Sequence, residues 1–197
     1  MPLITYCIRT VPEREPMYHG TLVALGQERV ISVIDTRREG VRAASVKALR
    51  AGLDSPADWL VILDDDFRYC RDFPARVAAV ARMTSMRALI LYSMAKPRNR
   101  VVEKIGPFEV RKADRRHLLC VPMLRRDAAK LLLDALRSSD DPTAFDGVGA
   151  RAIHDAEMHY GVVWPNPVDH IGRQSIIGNS WRVGGRERVS AWFEENP

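Results

Sequence analysis

Residues 59–70 read WLVILDDDFRYC, and the reading of this stretch decides the architecture. The apolar run Trp59–Leu63 fits a strand covered on both faces, as in the middle of a sheet packed between helices. Three carboxylates follow at once: Asp64, Asp65 and Asp66. Side chains alternate along a strand, so Asp64 and Asp66 are expected on one side and Asp65 on the other. In open α/β sheets, ligands bind beyond the carboxyl ends of the strands. Two carboxylates on the same side repel each other there unless a cation sits close by. A hard divalent ion with oxygen ligands, magnesium or manganese, suits them and would in turn hold a diphosphate. A capping cluster in a strand-to-helix loop has the same look.

Working outward, short apolar runs alternate with longer amphipathic segments. Leu3–Arg9, Val30–Asp35, Ala88–Met94 and Val162–Trp164 read as further strands. Val41–Leu53, a segment from Asp72 to about Met83, Arg126–Leu136 and Asp146–Tyr160 read as helices. Asp72 is placed to cap its helix, and Gly161 to stop the last one. Thr21–Leu25 is expected to form a helical turn or two. Residues 96–122 are expected to be a loop-rich insertion with a hairpin whose arms are Pro107–Arg111 and Leu118–Val121. Strands alternating with helices predict an α/β protein with a mainly parallel central sheet flanked by helices. The 197 residues make a single domain, with 1–95 as one half and 96–197 as the other.

Charge is unevenly spread. The formal net charge is +5, yet residues 96–126 alone hold ten cations and three anions. One segment therefore carries the whole basic excess, and such a patch attracts polyanions. A solvated surface of an Arg-rich protein explains the same pattern. The three cysteines, Cys7, Cys70 and Cys120, are an odd number without CxxC spacing. That argues against a disulfide framework or a zinc knuckle and suits a reducing cytosol. No charged n-region precedes an apolar stretch, and no apolar run is long enough to span a bilayer, so a cytoplasmic protein is expected.

Three more features bear on the acidic triplet. The first strand ends in Arg9–Thr10, with Glu13, Arg14 and Glu15 just after it. The second ends in Asp35, followed by Thr36, Arg37 and Arg38, and a carboxylate there accepts hydrogen bonds from a base or ribose, or caps a helix. Late in the chain, WPNPVDHIGRQSIIGNSW offers His170 as a metal ligand, with Gly172 and Gly178 in the loop around it.

Together, ITYCIRTVPER, VIDTRREG, WLVILDDDF and PNPVDHIGRQSIIGN resemble a GT-A glycosyltransferase of the inverting, family-2-like kind, with the acidic triplet as the DxD motif. The resemblance covers most of the chain and implies a GT-A-like, Rossmann-type fold. It implies a divalent cation, Mn2+ or Mg2+, on Asp66 and His170, and a UDP-sugar donor such as UDP-glucose. Asp64 or Asp65 would contact the ribose or the metal's water shell. Arg9, Thr10, Arg14 and Asp35 would cradle the nucleotide, and Arg42 would reach the uridine or a phosphate. Transferases of this kind use an acidic base on the acceptor side. In TAFDGVGARAIHDAE that base is expected to be Asp146, with Asp155 and Glu157 further along.

Small compact enzymes of this type are similar to the phage-type transferases that glycosylate hydroxymethylated pyrimidines in DNA. On that resemblance the acceptor is DNA, met by Lys96, Arg98, Arg100, Arg111, Lys112, Arg115, Arg116, Arg173 and Trp181, and the location is the cytosol of a bacterial or phage-infected cell. A saccharide, a lipid-linked sugar or a protein side chain are the other acceptors. A non-catalytic scaffold holding a nucleotide or nucleic acid is the reading from a different class. No membrane anchor is expected, and the oligomeric state stays open.

Overall fold

The computed structural model describes residues 1–26, 28–94, 97–114, 117–141 and 145–171. The predicted central run forms β3 (Trp59–Asp64), every residue of which but Asp64 is buried. Alternation splits its side chains between two cores. Trp59, Val61 and Leu63 pack on one face with Tyr6 and Ile8 of β1 (Ile4–Thr10), beneath α1 (Glu15–Leu25) and α3 (Phe73–Met83). Leu60 and Ile62 pack on the other with Cys7, beneath α2 (Val41–Asp54) and α4 (Arg126–Arg137). Both faces are covered, which is why the run carries no polar residue until it leaves the sheet. Each fully buried Leu or Ile here contributes about 1.5–3 kcal/mol relative to exposure.

Among the described residues eight strands make the main sheet. With β2 (Val30–Ile34), β5 (Ala88–Ile90), β6 (Val101–Ile105), β7 (Phe108–Lys112), β8 (Pro122–Arg125) and β9 (Tyr160–Trp164), the order is β2-β1-β3-β8-β5-β9-β7-β6. The chain is thus a mixed α/β protein with a large Rossmann-like central sheet flanked by helices. The ladders are less parallel than expected. β1 pairs parallel with β2 and β3, and β5 with β9, but β8 is antiparallel to both β3 and β5. The hairpin β6–β7 joins the edge through an antiparallel β7–β9 ladder. Inserting β8 has a structural consequence: the loop that precedes it reaches the edge where β1 and β3 end. There α5 (Asp146–Asp155) also begins, tied on by a Leu119 N–H bond to the Asp146 carbonyl at 3.3 Å.

Several local expectations need correction. The hairpin turns at Gly106–Pro107, not between arms at 107–111 and 118–121, and it extends the sheet instead of standing off it as a loop. The first helix is longer than a turn or two; Pro16 sits in its first turn, where a missing N–H costs nothing. The last helix ends at Asp155, with Glu157 in the left-handed region at φ 54°. Gly161 therefore does not stop a helix but lies within β9, where a Cβ would come 2.7 Å from Val110 Cγ1 and 3.0 Å from the Arg111 carbonyl. Residues 91–94 leave the sheet after Ile90. Asp72 stands before α3, but its side chain makes no capping bond.

A second, two-stranded sheet positions the late histidine. β4 (Phe67–Tyr69) pairs antiparallel with β10 (Val168–His170), setting His170 opposite Phe67 and Asp169 opposite Arg68. The fully buried Asp169 accepts from Arg68 Nη2 at 2.9 Å, which locks the register. Among the described residues no helix is long and apolar enough to cross a membrane.

Candidate functional site

Where β1 and β3 end side by side, Arg9 lies opposite Asp64 in the ladder. Arg9 is buried, and all three of its guanidinium nitrogens donate to side chains. Nε and Nη2 donate to the two oxygens of Asp64 at 2.9 Å each, and Nη1 donates to Ser45 Oγ at 2.5 Å. Its plane lies 4.2 Å from the ring centroid of Phe145, just before α5. Arg9, expected on the donor, ties β1 to β3, to α2 and to Phe145.

The strand alternation predicted for the triplet ends with the strand. β3 stops at Asp64, and the chain bends at Asp65 and Asp66. Asp64 turns to Arg9, whereas Asp65 and Asp66 share Arg14, whose Nη1 lies 2.8 Å from Asp65 Oδ1 and 2.9 Å from Asp66 Oδ2. Asp64 and Asp66 therefore do not act as the same-side pair. Thr10 Oγ1 donates to Asp65 Oδ2 at 2.5 Å. Burial raises the Asp65 pKa despite Thr10 and Arg14. Burial pushes Asp66 the same way, but His170 and Arg14 outweigh it and hold the carboxyl below its ordinary value. Burial also opposes the charge on Arg14, and its two carboxylate partners more than restore it.

His170 arrives on β10 with Nε2 3.1 Å from Asp66 Oδ2, its ring edge-on to Phe67. Two ligand atoms at adjacent positions around an ion with bonds of about 2.1 Å lie about 3 Å apart, so this spacing suits a shared divalent cation. Nδ1 of His170 is buried without a hydrogen-bond partner among the described residues. No group of three or more His, Cys, Asp or Glu gathers as a metal cage among those residues. Two protein ligands suit an ion that keeps water and takes phosphate oxygens as the rest of its shell.

Asp35 stays next to β1, its N–H bonded to the Thr10 carbonyl at 2.8 Å. Both its oxygens accept backbone N–H groups, from Glu39 and Gly40 at 2.9 Å, closing the loop into α2. Burial works against the carboxylate, and those donors outweigh it, so the pKa is lowered. Arg42 donates to the Ser139 carbonyl beyond α4 and has no contact with the acidic cluster among the described residues.

Asp146 opens α5, as expected. Cys120 Sγ donates to its Oδ2 at 3.4 Å. Burial raises its pKa to about 6; the Asp64 charge adds to this, and Arg9 and the thiol oppose it. Cys120, which no motif marks, is a site residue that only the packing reveals.

The basic segment divides in two. Arg111 is internal, bonded to Glu109 and to the carbonyls of Pro97 and Asn99. Arg125 stacks on Trp59, and Arg126 caps the end of α2 through the carbonyls of Leu53, Ser55 and Ala57. Arg98, Arg100, Lys104 and Lys112 are exposed. Lys96, Arg115, Arg116, Arg173 and Trp181 lie outside the described residues.

The sequence matches no family model and no curated protein. Among solved structures the chain is similar to A197 from STIV, with 14% identity, 85% of each chain covered and a TM-score of 0.48. A likeness of this size carries no argument about the site.

Proposed function

We propose that the chain is a GT-A-type, metal-dependent glycosyltransferase of the inverting kind, moving a sugar from a UDP-sugar such as UDP-glucose onto an acceptor hydroxyl. One observation carries the reading: at the ligand-binding edge of the sheet, Asp66 and His170 meet at 3.1 Å, and Asp146, with its raised pKa, faces the same carboxyl cluster through Asp64. Asp66 and His170 would hold the ion, which when bound neutralises charge on the departing diphosphate. Thr10 and Arg14 shape the nucleotide side by fixing Asp65 and Asp66. As the acceptor oxygen bonds to the anomeric carbon, the bond to the diphosphate breaks and Asp146 takes the hydroxyl proton. A carboxyl with a pKa of about 6 is ionised at neutral pH, yet it is a stronger base than an ordinary aspartate.

For the acceptor we propose a hydroxymethylated pyrimidine in DNA. Arg98, Arg100, Lys104 and Lys112 support it, because they stay exposed while Glu103 and Glu109 of the same segment are engaged by Ser85 and Arg111. A saccharide, lipid-linked or protein acceptor would not need that charge. The second reading, a non-catalytic scaffold, is favoured by the two arginines, Arg9 and Arg14, that already pair with all three carboxylates of the triplet. The deciding experiment is donor hydrolysis. Purified protein with UDP-glucose and Mn2+ is expected to release UDP slowly without acceptor and to stop with EDTA. No UDP release from any of a panel of nucleotide sugars would leave the scaffold.

A further inference from the structure

Arg9 and Arg14 both pair with the acidic triplet, but their guanidinium groups are used differently. All three nitrogens of Arg9 donate to side chains. Arg14 engages only Nη1, which bridges Asp65 Oδ1 and Asp66 Oδ2. Its Nε and Nη2 have no hydrogen-bond partner among the described residues, although the side chain is only 15% exposed. That unused edge is a planar fork of N–H groups, the geometry that takes two phosphate oxygens. Arg14 ends the turn Pro12–Arg14 that joins β1 to α1, so it lies beyond the carboxyl end of β1, where ligands of such sheets bind. The bridged oxygen is also a shared one: Asp66 Oδ2 lies 2.9 Å from Arg14 Nη1 and 3.1 Å from His170 Nε2. A divalent ion held by Asp66 and His170 would have to share that oxygen with a cation, and like charges so placed repel. Charge counting agrees. Asp64 is paired with Arg9. Asp65 and Asp66 together balance one divalent ion, and Arg14 leaves that set with a positive charge in excess. A diphosphate reverses the balance, because its oxygens bring negative charge for both the ion and the guanidinium.

We infer that Arg14 couples the divalent ion to the diphosphate: it opposes the bare ion at Asp66 and His170, and it admits the ion together with a diphosphate, to which its Nε–Nη2 edge donates. The inference rests on the proposed metal-dependent reaction and assigns the residue that makes the ion and the donor arrive together.

The test reads binding without turnover. Mn2+ alone is titrated into the full chain by electron paramagnetic resonance of the free ion, and UDP is titrated at saturating Mn2+ by calorimetry. Arg14→Gln removes the charge. It is expected to bind Mn2+ alone at least about tenfold more tightly, and UDP at least about tenfold more weakly, than the unaltered protein. A residue that merely held Asp65 and Asp66 in place would, on removal, weaken both. Arg14→Lys keeps the charge without the fork, so Mn2+ alone should still bind weakly while UDP loses affinity. Should Arg14→Gln not fold, the unaltered protein carries the test. By nitrogen-15 NMR with diamagnetic Mg2+, the Arg14 Nε–H resonance should shift with Mg2+ and UDP together and stay in place with Mg2+ alone. Unchanged or weaker Mn2+ binding in Arg14→Gln, equal tightening in Arg14→Lys, or an Nε–H resonance that ignores Mg2+ with UDP overturns the coupling. Asp66→Asn separates the two ways of failing. If it binds Mn2+ as the unaltered protein does, the metal site itself is misplaced; if it loses the ion while Arg14→Gln gains nothing, the coupling alone is refuted.

Discussion

Asp146→Asn should make the protein more stable at pH 8 and inactive at the same time. The carboxyl's pKa rises from 3.8 to about 6 on folding, first because it is buried and then because Asp64 is near. A tenfold change in proton affinity is worth about 1.4 kcal/mol, so the ionised carboxylate costs the folded state about 3 kcal/mol. The sign follows from linkage. The folded chain holds this proton more tightly than the unfolded chain, so the stabilising effect of protonation is present at low pH and is lost as pH rises toward 6. Below about pH 3 both states are protonated and the cost vanishes; above about pH 6 it applies nearly in full. Asparagine mimics the neutral acid at every pH. For a chain of this size, about 3 kcal/mol corresponds to a Tm rise of about 6–12 °C. Thermal melts of both proteins at pH 3 and pH 8 should coincide at the lower pH and separate by that amount at the higher one. Turnover should fall by about 10²–10⁴-fold in the variant, as removal of a general base implies. An equal separation at both pH values, or a lower Tm for the variant at pH 8, would refute the reasoning.

Three further outcomes are expected. Asp66→Asn and His170→Ala each remove one of two proposed ligands, so calorimetry should show Mn2+-dependent uptake of UDP-glucose weakened by at least about tenfold, with unchanged circular dichroism. Gly161→Ala drives a methyl against Val110 and the Arg111 carbonyl, and urea unfolding should show stability lowered by about 1–3 kcal/mol; a decrease below about 0.5 kcal/mol would mean that β7 yields. Replacing Arg98, Arg100 and Lys112 together by Gln should flatten the log–log salt dependence of DNA affinity, its slope falling by about one for each phosphate no longer neutralised, whereas Arg111→Gln should show itself in stability.

The layout of the central sheet is legible in the sequence because β3 is buried on both faces, and double burial writes itself as an unbroken apolar run. The edges of that reading fail for physical reasons. β8 escapes because Pro122 opens it and only four residues pair, so neither length nor alternation marks it. Gly161 reads as a helix stop because a glycine that ends a helix and one that admits a neighbouring strand look the same without that strand. The acidic triplet is plain in the sequence, but its geometry is not. Alternation holds only while the backbone is extended, and the bend at Asp65 and Asp66 turns both toward Arg14. Arg9 and Arg42 illustrate the hardest part. A guanidinium after a strand suggests a phosphate, yet Phe145, Ser45 and Ser139, which claim these two side chains, are far away in sequence.

The site divides its four carboxyls by the partner each is given. Asp64 has Arg9, Asp65 has Arg14 and Thr10, and Asp66 has both Arg14 and His170. Among the described residues Asp146 has a thiol as its side-chain donor, with Arg9 nearby and bonded to Asp64. Where the cation outweighs burial, as at Asp66, the carboxylate is a poor base and a good fixed charge, because the partner stabilises the ionised form; at Asp65 burial still prevails over Arg14 and Thr10. A buried carboxylate with a weak donor is the reverse. Its proton affinity climbs toward the working pH, which is what proton removal from a hydroxyl requires. Chemically identical side chains are thereby set to opposite tasks by the groups around them. The same arrangement gives the buried Arg9 a second role: by pairing with Asp64 it offsets a neighbouring negative charge, and its own charge holds the Asp146 pKa down against burial.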